Sequence, residues 1–119
     1  MNISGKLDNE LYRYVDPRHN GLVSVTDDGN TFILRPGQDD WVQRTRLKDG
    51  ADLEEWISRK LEFKSKLKHW QLVDSLPSLS ELEHWMIDGV AETTNGQEIE
   101  PDGIACDGSP SWLVALGFI

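Results

Sequence analysis

The sequence has one cysteine, Cys106, and no lysine or arginine beyond Lys68. A single thiol closes no internal disulfide, which removes the usual staple of small secreted domains and predicts a cytoplasmic setting. No apolar run approaches the roughly 18–20 residues a membrane helix needs, so no membrane partner is expected. Met1-Asn2-Ile3-Ser4-Gly5 lacks the basic and apolar segments of a signal peptide. Neither GxxxxGK[ST] nor GxGxxG occurs, so the glycine loops that cradle nucleotide phosphates are missing. His19, His69 and His84 form no HxxxH or HExxH pair, which argues against a zinc site. Repeats and low-complexity tracts are absent as well.

What is present fits one domain spanning residues 1–119, since a second core does not fit in this length. Hydrophobic residues make up 38% of the chain, but five of them are tryptophans, and each can bury a large area. The net charge of −9 is uneven: residues 59–70 hold five basic groups and one acidic, whereas residues 71–119 hold nine acidic groups and no basic one. Such a stretch repels phosphate and anionic lipid and suits a basic protein surface.

Residues 1–20 admit two readings. Leu7, Leu11 and Val15 have helical spacing, whereas a strand through Leu11–Val15 puts Tyr12 and Tyr14 on one face. Asp16-Pro17 ends either element. Leu22–Thr26 and Thr31–Leu34 are β-branched runs flanking Asp27-Asp28-Gly29-Asn30, the signature of a hairpin. Trp41–Leu47 is expected as an edge strand with Trp41, Gln43, Thr45 and Leu47 on one face. Asp52 precedes a helix predicted over Leu53–Trp70, whose stripe comprises every apolar residue except Phe63. Its acidic start and lysine-rich end match the helix dipole, which gives the basic segment a structural explanation. Ser78-Leu79-Ser80-Glu81 is a capping box for a second helix over Leu79–Asp88, ended by Gly89 and burying Leu79, Leu82, Trp85 and Met86. Thr94-Asn95-Gly96 predicts a turn between Val90–Thr93 and Gln97–Glu100. Ser109-Pro110 is read as cap and first position of a terminal helix ending at Gly117. Together these predict an α+β fold: an N-terminal antiparallel β-meander, then one long and two shorter helices with a small β-turn region.

The candidates for chemistry are few. Glu98, Glu100, Asp102 and Gly103 follow the spacing of a calcium loop, but its twelfth position is Ser109 in place of the bidentate glutamate. No metal or cofactor is therefore expected. Cys106 stands beside Asp107, whose charge opposes thiolate formation, so it is read as a small buried residue. Glu81 and His84 have helical spacing for contact. Asp27-Asp28 and Asp39-Asp40 sit in expected turns, where aspartate is favoured.

The tail Glu100-Pro101-Asp102-Gly103, continued by GSPSWLVALGFI from Gly108 to Ile119, resembles the C-terminus of short proteins of proteobacteria and their phages. In size, acidity and lack of motifs the chain is also similar to phage anti-defence proteins, anti-CRISPR proteins among them. That resemblance implies action by occupying a partner's surface, often one built for nucleic acid. The expected function is a non-enzymatic interaction protein that covers a basic surface on a protein partner and makes no direct contact with nucleic acid. Asp88, Glu92, Glu98, Glu100, Asp102 and Asp107 are its candidate partner-binding residues, with aromatic residues interleaved. A small metal-dependent hydrolase and a homo-oligomeric accessory protein are the alternatives.

Overall fold

The computed structural model describes residues 7–119. The reading of the first five residues, and any helix begun before Leu7, lie outside it. Four strands, β1 (Glu10–Asp16), β2 (Gly21–Thr26), β3 (Asn30–Leu34) and β4 (Val42–Arg46), pair in sequence order as an antiparallel meander. Helices α1 (Leu53–Ser65), α2 (Leu79–Asp88) and α3 (Trp112–Ala115) follow, with a two-stranded ribbon of β5 (Ala91–Glu92) and β6 (Glu98–Ile99) between the last two. The predicted α+β architecture is the observed one.

Residues 10–16 are a strand because alternation serves two cores at once. Tyr12 and Tyr14 project from one face, opposite Val25 and Val23, and pack with Ile33. Val15 projects from the other face into a cluster with Leu82, Ala91, Trp112, Leu113 and Leu116. A helix would turn Tyr12 and Tyr14 to nearly opposite sides. Helix α1 and the residues just after it cover the tyrosine face: Trp56 and Leu67 pack on it, the Tyr12 hydroxyl donates to the Lys60 carbonyl at 2.7 Å, and Phe63 meets Tyr14 edge-on at 5.4 Å. Phe63, left off the predicted stripe, is thus a contact residue, whereas Leu53 and Leu61 on that stripe are exposed.

The predicted helix over Leu53–Trp70 stops at Ser65, followed by a 3-10 turn over His69–Gln71. The reason is tertiary. Leu67 belongs to the core on one face of the sheet and Trp70 to the core on the other, so the chain must round the free edge of β1 between them. It is tied there by Gln71 Nε2 donating to Val15 O at 3.2 Å and Arg13 Nη1 donating to Asp74 O at 2.7 Å.

Two bulges set which side chains face which way. The register of β1 on β2 shifts between Glu10 and Tyr12. Strict alternation would put Glu10 and Arg13 on opposite faces; the extra residue brings them together. Arg13 Nε and Nη2 donate to the Glu10 carboxylate at 2.9 Å, Ser24 Oγ donates to it as well, and the guanidinium lies 5.2 Å from the Trp41 ring. A second shift, at Thr31/Phe32, aligns Val42 with Ile33 and Thr45 with Thr31. The expected face of Trp41, Gln43, Thr45 and Leu47 is therefore broken at Arg44.

Candidate functional site

The acidic half of the chain forms a lobe against the sheet face that carries Val15. Its local chemistry is largely what the sequence predicts. Ser78 Oγ accepts from the Glu81 amide at 3.0 Å, and Glu81 accepts from the Ser78 amide at 3.2 Å, closing the capping box. Gly89 ends α2 in the left-handed region at φ 73°. There β5 begins, and Asn95-Gly96 turns the chain into β6. Thr93 is fully buried and anchors the turn: its amide donates to Gln97 O at 2.8 Å and its hydroxyl accepts from the Gln97 amide at 3.1 Å.

The helix start is displaced from the expected site. Ser111, not Ser109, caps α3, accepting from the Val114 amide at 3.2 Å. Pro110 instead lies in a short bridge to Ile104, and Ser111 in one to Thr93. These two bridges use the residues that a helix beginning at Pro110 would consume. They fasten the loop over residues 100–108 to the anchor formed by Trp112, Leu113 and Leu116, which is buried as predicted. Phe118 and Ile119 beyond it are exposed.

All six predicted partner-binding residues are exposed, but they are not equivalent. Asp107 is a staple of the loop: it accepts from the Ser109 amide at 2.9 Å and from Asn95 Nδ2 at 2.7 Å. The Ser109 backbone N–H, more than any other neighbour, holds its carboxyl below the ordinary aspartate value. Asp88 lies 2.6 Å from His84 Nε2. The expected pairing of His84 with Glu81 therefore does not form, because Glu81 is engaged in the cap. Glu100 and Asp102 flank Pro101 in the loop. Glu92 and Glu98 stand directly opposite each other on the β5–β6 ladder. Like charges in that position repel and give the ribbon nothing in return.

Sequence reasoning missed the apolar part of this surface. Met86 and Leu79, assigned to the buried side of α2, are exposed, as are Val90 and Ile104, and Ile87 is 84% exposed. Only Leu82 is fully buried on the helix. A signal existed: Leu79, Leu82, Trp85, Met86 and Ile87 are more apolar residues than one helical stripe can hold. The interleaved residues are thus aliphatic, while the nearby Trp85 packs half-buried against the core and Trp112 is buried.

The other candidates resolve into structural roles. Cys106 is exposed, contrary to its expected burial. Asp28 accepts from the Thr26 hydroxyl at 2.5 Å, which lowers its carboxyl affinity for protons, and Asp40 accepts from the Trp41 amide at 2.8 Å. Among the described residues no three His, Cys, Asp or Glu side chains gather closely enough to hold a metal ion, and no helix is long and apolar enough to cross a membrane. Comparison with protein-family models, curated proteins and solved structures finds no match.

Proposed function

We propose that this chain is a non-enzymatic interaction protein whose acidic lobe covers a basic surface on a protein partner. The observation that carries this is the exposed Glu92–Glu98 pair, together with exposed Met86, Ile87 and Val90 on the stretch from α2 that leads into β5. Apposed glutamates cost the isolated ribbon stability, and a large exposed aliphatic such as Ile87 gains nothing in water. Both become favourable against a surface that presents Lys or Arg around an apolar patch. Charge then steers the encounter, and the aliphatic side chains supply the desolvated centre. A partner surface built for nucleic acid has this character, and the resemblance in type to phage anti-defence proteins implies occupation of such a surface.

Glu92, Glu98, Glu100 and Asp102 are the contact residues of this reading, with Asp88 at the rim and Asp107 holding the loop. The test is affinity capture of host proteins with the wild-type chain and with Glu92→Lys/Glu98→Lys/Glu100→Lys. The triple variant should lose the captured partner, and rising salt should weaken the wild-type interaction. A partner retained equally by both, with no salt dependence, refutes the proposal.

A further inference from the structure

The acidic lobe leaves the opposite side of the sheet unexplained. There, the charge of α1 does not stand alone. Strand β4 is exposed along its whole length; its Arg46 shares a hollow with Arg59 of the helix, and its Arg44 is near enough to Lys60 to act on its charge. Two adjoining hollows run along α1 and share Trp56 and Arg59; the first lies in the crease between the helix and β4, the second on the helix itself. One, of about 310 Å³, is lined by Arg46, Lys48, Trp56 and Arg59 among others. The next, of about 330 Å³, is lined by Trp56, Arg59, Lys60 and Phe63. No carboxylate lines either.

This positive charge is not ion-paired. Among the described residues, none of Arg44, Arg46, Lys48, Arg59, Lys60 and Lys64 lies within ion-pair distance of a carboxylate. Arg44 instead donates toward His19 Nε2 at 3.2 Å, while His19 Nδ1 faces Asp16 at 2.7 Å. Burial, and then the neighbouring charges of Arg44 and Arg59, make Lys60 easier to deprotonate than an ordinary lysine. The crease is also aromatic. The Lys60 ammonium lies 5.4 Å from the Trp56 ring, and Phe63 is exposed on the same helix face, two turns along. Trp56 is half-buried, packed in part on the tyrosine core, and Phe63 is exposed; both rings line the second hollow.

From this arrangement we infer that the α1–β4 crease binds a single-stranded nucleic acid, its phosphates on the cations and its bases against Trp56 and Phe63. An open strip of linked hollows suits a linear polymer better than a small anion. Aromatic faces between cations suit bases, where an acidic protein or a lipid headgroup would leave them unused. The negative lobe does not prevent this, because it packs on the other face of the sheet. Its charges stand roughly 20 Å away, two packing layers of about 10 Å, where physiological salt screens them.

The experiment is fluorescence anisotropy with labelled single-stranded oligonucleotides of about 15 nucleotides, one of RNA and one of DNA, to decide between the two sources. Affinity should fall about tenfold or more between about 50 mM and 200 mM salt. Arg46→Glu/Arg59→Glu should weaken binding about tenfold or more, and Trp56→Leu about fivefold or more. Both arginines are exposed, so that variant keeps its fold even if Trp56→Leu unfolds early in a thermal melt. Glu92→Lys/Glu98→Lys/Glu100→Lys should leave binding intact or strengthen it, which separates this crease from the protein-binding lobe. Three results overturn the inference: no binding at the lower salt, equal binding to polyglutamate or to duplex of the same length, or indifference to Arg46→Glu/Arg59→Glu.

Discussion

Replacing Arg13 by methionine isolates what the bulged start of β1 is for. The Arg13 and Glu10 side chains are 8% and 5% exposed and pair at 2.9 Å. Without the guanidinium, the Glu10 carboxylate keeps only the Ser24 hydroxyl as a partner among the described residues. Breaking a buried ion pair from one side costs about 3–5 kcal/mol. With an unfolding entropy of about 2.1 cal/mol/K per residue, that loss should lower this chain's Tm by about 12–20 °C. Replacing both partners, Glu10→Leu with Arg13→Met, should return stability to within about 1 kcal/mol of wild type, because no charge is then stranded. Urea unfolding followed by tryptophan fluorescence measures both variants. A loss below about 1 kcal/mol for Arg13→Met, or a double variant no more stable than the single one, refutes the stranded-charge argument.

Two further expectations concern the tail and its loop. Gly117 has φ 76°, and a Cβ there would lie 2.3 Å from the Pro17 carbonyl oxygen, so Gly117→Ala should destabilise by about 1–3 kcal/mol in the same assay; a neutral result would mean that the tail does not seat against the β1–β2 turn. Asp107 and Asp28 have carboxyls held below the ordinary aspartate value of 3.8 by the Ser109 amide and the Thr26 hydroxyl respectively. A lowered folded value means stability present above that pH and lost as pH falls below it. Asp107→Asn should therefore flatten the stability profile below about pH 4, with thermal melts as the readout, and an unchanged acid limb would remove Asp107 as the loop's staple.

Much of the fold is legible in local chemistry, and the reasons are specific. The β2–β3 hairpin, the Asp52 cap, the Ser78–Glu81 box and the Gly89 stop each depend on residues within four positions of one another, and all appear in the structure. The acidity of the lobe is equally a property of sequence, because residues 71–119 contain no Lys or Arg to neutralise it. What local chemistry does not decide is where a pattern ends and what it faces. The helix predicted to Trp70 stops at Ser65 because Leu67 and Trp70 serve different cores. Ser109 loses the cap of α3 to Ser111 because Ile104 and Thr93 need bridge partners. Met86 and Ile87 face solvent because the space beneath α2 is filled by Leu82 and Trp85.

The same division holds for the two surfaces. Sequence by itself places negative charge on the C-terminal half and explains the lysines of α1 by the helix dipole, a complete account within one element. Only the tertiary structure brings Arg46 of the edge strand to the hollow that Trp56 and Arg59 line, and Arg44 near enough to Lys60 to act on its charge. It does so because a bulge re-aims Arg44 and because α1 leaves β4 uncovered. Charge of each sign is written along the chain, but its separation to opposite faces follows from strand alternation in β1, which sends tyrosines one way and Val15 the other.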